Sequence, residues 1–431
     1  MTKDSKLPLA ALNGALDKCI RCGECRAVCP VFAVERREKF TARGKVALVA
    51  AANRGEAELD EPFYQGLANC LLCMACVDRC ANDTPTDEIV VEGRSAFVER
   101  KGLPAVQRLV YAGLEGGDRA MRVASAAQKL LFKSLPEESG LRRRFPMPFV
   151  DRDQLVPQLA AKPFRKTHPV ENTVPNARAR VVFFTGCMAN YAFTNIAESV
   201  VRVLNALGVD VTVPEAQACC GAPMFLSGDR DAALRRARNN LDALADDAGA
   251  TVVVPCSTCG MMLRTHYPRL LEGGERERAE ALAARTMDIS EYLVREIGAE
   301  AIAARITAPL DRALTYHDPC HLNRGQGVSR EPRELVRLAT GRPVAEMDRP
   351  DRCCGLAGTY SLINRPTSKA IQTAKTEDIA KSGADGVATG CPGCVLQLGD
   401  GLRRHHVPGS ALHVIEALAR AMGLTGQPPK K

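Results

Sequence analysis

Apolar positions along this chain follow two periods. Helical spacing runs through 42–52, 105–135, 196–208 and 330–340, with closing helical patterns at 287–297 and 410–422. Short runs rich in Val, Phe and Thr read as strands. They lie at 179–187 (ARVVFFTGC), 209–213, 249–259 (GATVVVPCSTC), 313–320 (ALTYHDPC) and 383–394 (GADGVATGCPGC). Gly208 stops one helix before the strand at 209–213, and Gly341 predicts the same stop and a second such strand. Strand–helix–strand order at this spacing predicts parallel sheets with right-handed crossovers. The longest purely apolar runs, such as 46–52, fall far short of the roughly 18 residues of a membrane helix.

The cysteines turn this pattern into chemistry. There are 18 in 431 residues. Cys19, Cys22, Cys25 and Cys29 read C-x2-C-x2-C-x3-C, followed by Pro30; Cys70, Cys73, Cys76 and Cys80 repeat the spacing, with Ala81 in place of the proline. This is the bacterial ferredoxin pattern for two [4Fe–4S] clusters. Three thiolates at i, i+3 and i+6 on a turning loop converge on one cube, and the fourth serves the other. By that logic Cys19, Cys22, Cys25 and Cys80 hold one cluster, and Cys70, Cys73, Cys76 and Cys29 hold the other. Structural zinc is the alternative, but zinc takes paired C-x2-C knuckles rather than this triple spacing. Arg43 and Lys45 stand at the start of the helix between the motifs. Cations there would raise a cluster's potential; a solvated helix end is the simpler expectation.

No cysteine lies between Cys80 and Cys187, and the remaining ten fall into two copies of one unit. Cys187, Cys219, Cys220, Cys256 and Cys259 are followed by Cys320, Cys353, Cys354, Cys391 and Cys394. Cys187 to Cys320 is 133 residues, Cys219 to Cys353 is 134, and Cys256 to Cys391 is 135. Offsets this constant mark a duplicated domain. The cysteines sit at strand C-terminal ends or helix starts, the edge of an open α/β sheet where ligands bind. Five cysteines per copy exceed a four-coordinate zinc site. The predicted fold class is α+β overall: an α-helical ferredoxin domain with two [4Fe–4S] motifs (1–100), a basic helical and Pro-rich linker (101–178), and two duplicated α/β domains with parallel sheets (179–300 and 301–431).

One distant cysteine, then CCG, then C-x2-C, in both copies, resembles the CCG domains of heterodisulfide-reductase-type proteins. The resemblance implies that one or two further, non-cubane [4Fe–4S] clusters with five thiolates occupy these domains. The whole order of parts resembles the iron–sulfur subunits of glycolate oxidase, of flavin-dependent lactate dehydrogenases and of anaerobic glycerol-3-phosphate dehydrogenase. Stretches that carry it include 353–360 (CCGLAGTY), 236–242 (RARNNLD) and 316–321 (YHDPCH). The resemblance implies an electron-transfer subunit. An FAD-containing partner subunit would oxidise a 2-hydroxy acid, glycolate or lactate, and the electrons would pass to quinone or another acceptor. No Gly-rich dinucleotide fingerprint follows a strand, so no FAD or NAD site of its own is expected. The rival reading is a thiol/disulfide oxidoreductase subunit with catalytic CCG clusters. There His317 and His321, flanking Cys320, are candidate proton shuttles.

Charge and composition add less. Residues 101–180 hold 15 Lys/Arg against seven Asp/Glu, an excess equal to the +8 of the whole chain. Its first part, 105–135, is a basic helical stretch suited to an anionic membrane surface or an acidic partner. Its later part, with Pro136, Pro146, Pro148, Pro157, Pro163, Pro169 and Pro175, reads as an extended wrap. Trp is absent and aromatics are 4% of residues, with no basic stretch interleaved among them, so nucleic-acid binding is not expected. The N-terminus lacks the apolar core of a secretory signal. A cytoplasmic location is expected, with peripheral contact at the inner face of the membrane. His266, His405 and His406 read as solvated helix ends, Met261 and Met262 as core, and 427–431 as a disordered tail.

Overall fold

The computed structural model describes residues 12–134, 141–144, 155–245 and 249–424. Leu135, Pro136, Pro146, Pro148, the N-terminal segment 1–11 and the tail 427–431 lie outside them. The chain forms two compact units that do not follow chain order. The first comprises Met1–Tyr111 with the later segments Gly221–Leu234 and Arg352–Gln372; the second comprises Ala112–Cys220, Arg235–Asp351 and Thr373–Lys431.

The first unit is helical. Thr41 caps the helix Ala42–Asn53 by accepting from Gly44 N–H, and Val46, Val49 and Ala52 turn its apolar stripe inward. Asp60 caps Glu61–Ala68 in the same way through Phe63 N–H (2.9 Å). These helices pack against Thr86–Lys101, with Phe63, Leu67, Ile89 and Val90 buried and the Tyr64 and Phe97 rings stacked at 4.4 Å.

The two later segments complete this unit. Buried Arg94 donates to Leu67 O (2.8 Å), to Cys70 O (2.7 Å) and to Leu226 O (2.5 Å), joining the second cysteine loop to Gly221–Leu234. Gly228 (φ +94°) lies so close that an added Cβ would stand 2.5 Å from the Arg94 carbonyl carbon. A buried polar network ties in the rest. Tyr64 Oη donates to Gln107 Oε1 (3.0 Å), Gln107 Nε2 donates to Ser227 and Thr359, and Tyr111 Oη bonds Ser227 Oγ at 2.6 Å.

The second unit is α/β. A five-stranded sheet has the order β4-β6-β5-β7-β8, from Glu171–Asn172 (β4), Ala179–Phe183 (β5), Val209–Thr212 (β6), Thr251–Val254 (β7) and Thr286–Asp288 (β8). All its pairings are parallel except β4 with β6. A three-stranded parallel sheet has the order β11-β10-β9, from Thr315–His317 (β9), Gly386–Thr389 (β10) and Ser410–His413 (β11). Helices Thr194–Ala206, Arg330–Thr340 and Val414–Ala421 bury Val200, Val203, Leu335, Ile415 and Leu418 in one core. A small antiparallel sheet, β1-β2-β3, comes from Phe132–Ser134, Leu141–Arg144 and Leu155–Pro157.

The fold class is that expected from sequence, with four local differences. The strand expected after Gly341 does not form: Pro343 lacks a donor, and only Ala345 N–H reaches Leu314 O (3.0 Å). The closing patterns at 287–297 and 410–422 each open with a strand, β8 and β11, before turning helical. The stretch 105–135 breaks at Gly116 into Ala105–Glu115 and Gly117–Leu131. His266 is buried rather than solvated, and burial pulls it down to about 3; His405 and His406 are exposed, and Met261 and Met262 are core.

Because three carbonyls depend on one guanidinium, Arg94→Met is expected to destabilise the first unit by about 3 kcal/mol or more. Urea unfolding and protease sensitivity within 60–100 check this; a midpoint equal to that of the parent chain would contradict it.

Candidate metal centres

Both cysteine loops of the first unit are bent by the same device. Arg21 (φ 58°) and Gly23 (φ 94°) flank Cys22; Leu72 (φ 53°) and Met74 (φ 58°) flank Cys73. Left-handed backbone at Leu and Met costs about 1–3 kcal/mol per residue and persists where a site over-determines it. Here it curls each loop so that its sulfurs face one cavity. Cys70, Cys73 and Cys76 line one cavity together with Cys29; Cys19, Cys22 and Cys25 line another together with Cys80. Each loop thus meets the last cysteine of the other motif. Cys76 lines both cavities.

Each cavity presents an equivalent set of four thiolates, which suits the same group in each. Three sulfurs on one loop with a crossed fourth fit an iron–sulfur cube, whereas zinc takes paired C-x2-C knuckles. All 18 cysteines are present as thiols. Burial pushes the Cys29 thiol up to about 11, opposed by Lys45, and pushes Cys76 well above its usual range. Cys29 Sγ also caps the helix Pro30–Glu35, accepting from Phe32 N–H (3.4 Å). Burial works against Cys80 as well, but hydrogen bonds from Thr84 and Asn82 hold it below the usual thiol range.

In the second unit the five cysteines of the first copy come together. Cys187 hydrogen-bonds Cys219, which also bonds Cys220; Cys220 bonds Cys259, and Cys259 bonds Cys256. Cys219 drives Cys187 and Cys220 upward, burial adding to it, and Cys220 does the same to Cys259. Five crowded, buried sulfurs cannot all ionise without a cationic centre among them. Gly186 (φ +62°) leaves no room for a side chain, since a Cβ would stand 2.9 Å from Cys259 Sγ. The contact then crosses between copies. Cys256 bonds Cys391, which bonds Cys394; Cys256 holds Cys391 well below its usual range, while Cys256 itself rises. Cys256 and Cys391 occupy the N-cap positions of the helices that follow β7 and β10, without a side-chain cap bond. Cys320 starts the helix Cys320–Gln326 of this unit, whereas Cys353 and Cys354 belong to the first unit.

The run 236–242 acquires a purpose here. Asn240 accepts from Ala218 N–H (2.7 Å) and donates to Cys219 O (3.1 Å) and Tyr267 Oη (2.9 Å), while Tyr267 Oη donates to Cys220 O (2.9 Å). Asn240 therefore shapes the Cys219–Cys220 turn. At the same repeat position, 135 residues on, stands Lys375. It is buried and donates to Arg349 O (2.5 Å) and Pro350 O (3.4 Å).

The two histidines are both buried. His317 is buried, and burial with the Lys375 ammonium pulls it down to about 3. Its Nδ1 faces Pro350 O (3.2 Å), so the ring is neutral and offers a lone pair at Nε2 rather than a mobile proton. His321 is buried and its Nδ1 meets Thr258 Oγ1 at 3.0 Å.

Arg94 and Tyr360 are neighbours of the cysteine loops that the sequence pattern does not single out, and the burial of Lys45 is not read there either. A solvated helix end is the sequence expectation for Lys45, yet it is buried, because it falls on the Ala42–Val46–Val49 face of its helix. That periodicity is the available signal. Tyr360 is buried in the first unit, donates to Asn69 Oδ1 (2.8 Å), and is driven upward by burial and then by Cys70 and Cys353. Only the fold reveals that neighbourhood.

Comparisons agree with this geometry. The 4Fe-4S dicluster domain family matches residues 15–84, and the cysteine-rich domain family (CCG) matches 181–264 and 314–399. A probable glycolate oxidase iron-sulfur subunit of Bacillus subtilis (strain 168) is 28% identical over 425 residues, 95% of each chain. A subunit of the dihydromethanophenazine:CoB–CoM heterodisulfide reductase of Methanosarcina barkeri is 27% identical over 445 residues, 98% of each. The crystal structure of a hypothetical protein from Helicobacter pylori shares the fold, with a TM-score of 0.53 at 11% identity, covering 90% of this chain and 69% of that one.

The crossed lining of the two cavities makes a specific expectation. Cys80→Ala and Cys29→Ala, each reconstituted anaerobically, should each lose about four irons and one cluster signal, and not the same signal. Iron analysis with EPR reads this out. Loss of the same signal in both variants would contradict it.

Proposed function

We propose that the chain, which matches a 4Fe-4S dicluster domain and two cysteine-rich domains, is the electron-transfer subunit of a flavin-dependent 2-hydroxyacid dehydrogenase complex. In this reading a partner FAD subunit oxidises glycolate or lactate, and this chain carries the electrons toward quinone or another acceptor. The observation that supports it is continuity of sulfur within each unit. In the first, Cys76 is shared by both cavities, and Tyr360 stands beside Cys70, Cys29 and Cys353. In the second, thiol contacts run from Cys187 through Cys256 to Cys391 and Cys394. An isolated structural metal site requires no such sequence of neighbours.

Bound at these thiols, [4Fe–4S] clusters, with further non-cubane clusters in the CCG sets, supply one-electron storage and transfer. The protein supplies ligands, depth and charge. The loop 19–25 presents an exposed Cys22 and an Ile20 that is 65% exposed, an approach for a donor protein; the other cavity is enclosed by buried Cys73, Leu71 and Leu72. The similarity to the glycolate oxidase protein favours the hydroxyacid reading. No helix among the described residues is long and apolar enough to cross a membrane. Peripheral contact with the inner face is proposed through the exposed Arg119, Arg122 and Lys129 of Gly117–Leu131.

One observation favours the second reading, a heterodisulfide-reductase-type subunit. Both CCG sets are complete, and Cys256 touches Cys391, bringing thiols of the two copies to one place. A direct test uses the chain purified anaerobically with its co-purifying flavoprotein. Bleaching of its visible absorption by glycolate or lactate, dependent on the flavoprotein, is expected. Bleaching by glycerol 3-phosphate alone would move the substrate class. Reoxidation of the dye-reduced chain by an organic disulfide, abolished in Cys354→Ser, together with no response to any hydroxy acid, would replace the first reading with the second.

A further inference from the structure

The two cavities of the first unit are alike in thiols and unlike in charge. The Cys19, Cys22, Cys25 and Cys80 cavity is lined by exposed Lys18 and Arg21, by Glu24 and by Arg43. The Arg43 side chain is 24% exposed, ion-paired with Glu38, and donates to Arg21 O (3.0 Å). At the Cys29, Cys70, Cys73 and Cys76 cavity the cation is Lys45, which is 1% exposed. Its Nζ donates to Phe40 O, and no carboxylate among the described residues makes an ion pair with it.

A buried ammonium without a counter-ion costs several kcal/mol. Lys45 occupies a helix face otherwise given to Ala42, Val46 and Val49, where Leu or Met would carry no such cost. The anionic groups that share its cavity are the four thiols and Asp87, which makes no ion pair with it. Its charge already acts on Cys29 and Cys76, lowering both against burial.

We infer that Lys45 is the counter-charge of the cluster held by Cys29, Cys70, Cys73 and Cys76, and that it holds up the reduction potential of that cluster alone. The inference rests on the iron–sulfur reading above. Its physical basis is simple. Reduction adds one negative charge to a centre whose thiolates already make it anionic, and burial makes that addition costly. A fixed ammonium in the same low-dielectric cavity opposes the cost, whereas Arg43 is neutralised by Glu38 and screened by solvent. The buried site thereby remains able to take electrons from the exposed one and pass them on toward Tyr360 and Cys353, its neighbours in the same unit.

The test is an EPR-monitored redox titration of the full chain, reconstituted anaerobically, in Lys45→Gln, Lys45→Arg and Arg43→Gln variants, with iron counted in each. Lys45→Gln should lower the potential of one cluster signal and leave the other in place. Lys45→Arg should restore most of the shift, and Arg43→Gln should leave the Lys45-sensitive signal unmoved. A second readout uses the metal-free chain. There Lys45→Met should raise the melting temperature, since it removes an uncompensated buried charge, and this gain should vanish in the iron-loaded chain. Full iron content with both potentials unchanged, or with both shifted equally, would overturn the role of Lys45 and leave the iron–sulfur reading intact. A chain that takes up no iron would overturn that reading and the inference with it.

Discussion

A buried guanidinium must find acceptors, and Arg94 finds them in two places that are far apart in sequence. One is the backbone at Leu67 and Cys70, leading into the second cysteine loop; the other is Leu226, just beyond the Cys219–Cys220 pair. None of these carbonyls can be given up without leaving a charge unpaired in the interior. Gly228 is excluded from being any larger residue by the same approach. The network of Tyr64, Gln107, Tyr111, Ser227 and Thr359 repeats the principle with neutral groups. The segments that follow both Cys-Cys pairs are thus components of the helical unit that carries the ferredoxin motifs. Chain order alone would leave them with the domains that surround them in sequence.

The thiols impose the complementary constraint. In the second unit they are crowded, and without metal they raise one another: Cys187, Cys220 and Cys259 are all driven up by a neighbouring sulfur. The fold holds strained backbone at Leu72 and Met74 and buries Lys45 at the same thiol-lined cavity. Strain and the buried ammonium thus meet at one cavity of the first unit, and crowding of thiols marks the second unit. That convergence supports the electron-carrier reading more than the presence of any one motif.

Much of this is legible in sequence because it depends on local spacing. C-x2-C-x2-C-x3-C fixes which sulfurs share a loop, and the 133–135 residue offset exposes the duplication. Strand and helix periods place β5, β6, β7 and β10 and the N-cap positions at Cys256 and Cys391. What escapes depends on contacts between distant segments. Lys45 looks solvated beside Arg43 until its helix face is known. Asn240 and Lys375 sit at one repeat position, but nothing in their own neighbourhoods says that they hold the carbonyls before or within a Cys-Cys turn. His317 suggests a proton carrier from its place near Cys320; that it is buried beside Lys375 is not visible there. The missing strand after Gly341 is signalled by Pro343, a signal that the repeat outweighs.

If the thiols form a relay of neighbouring iron–sulfur centres rather than separate structural metal sites, those centres must sense one another. Low-temperature EPR of the dithionite-reduced, anaerobically purified chain tests this most directly. Two reduced [4Fe–4S] signals broadened by spin–spin interaction are expected, as centres that share the Cys76 wall must be. Two sharp, non-interacting signals, or a colourless protein carrying zinc and no signal, would contradict it.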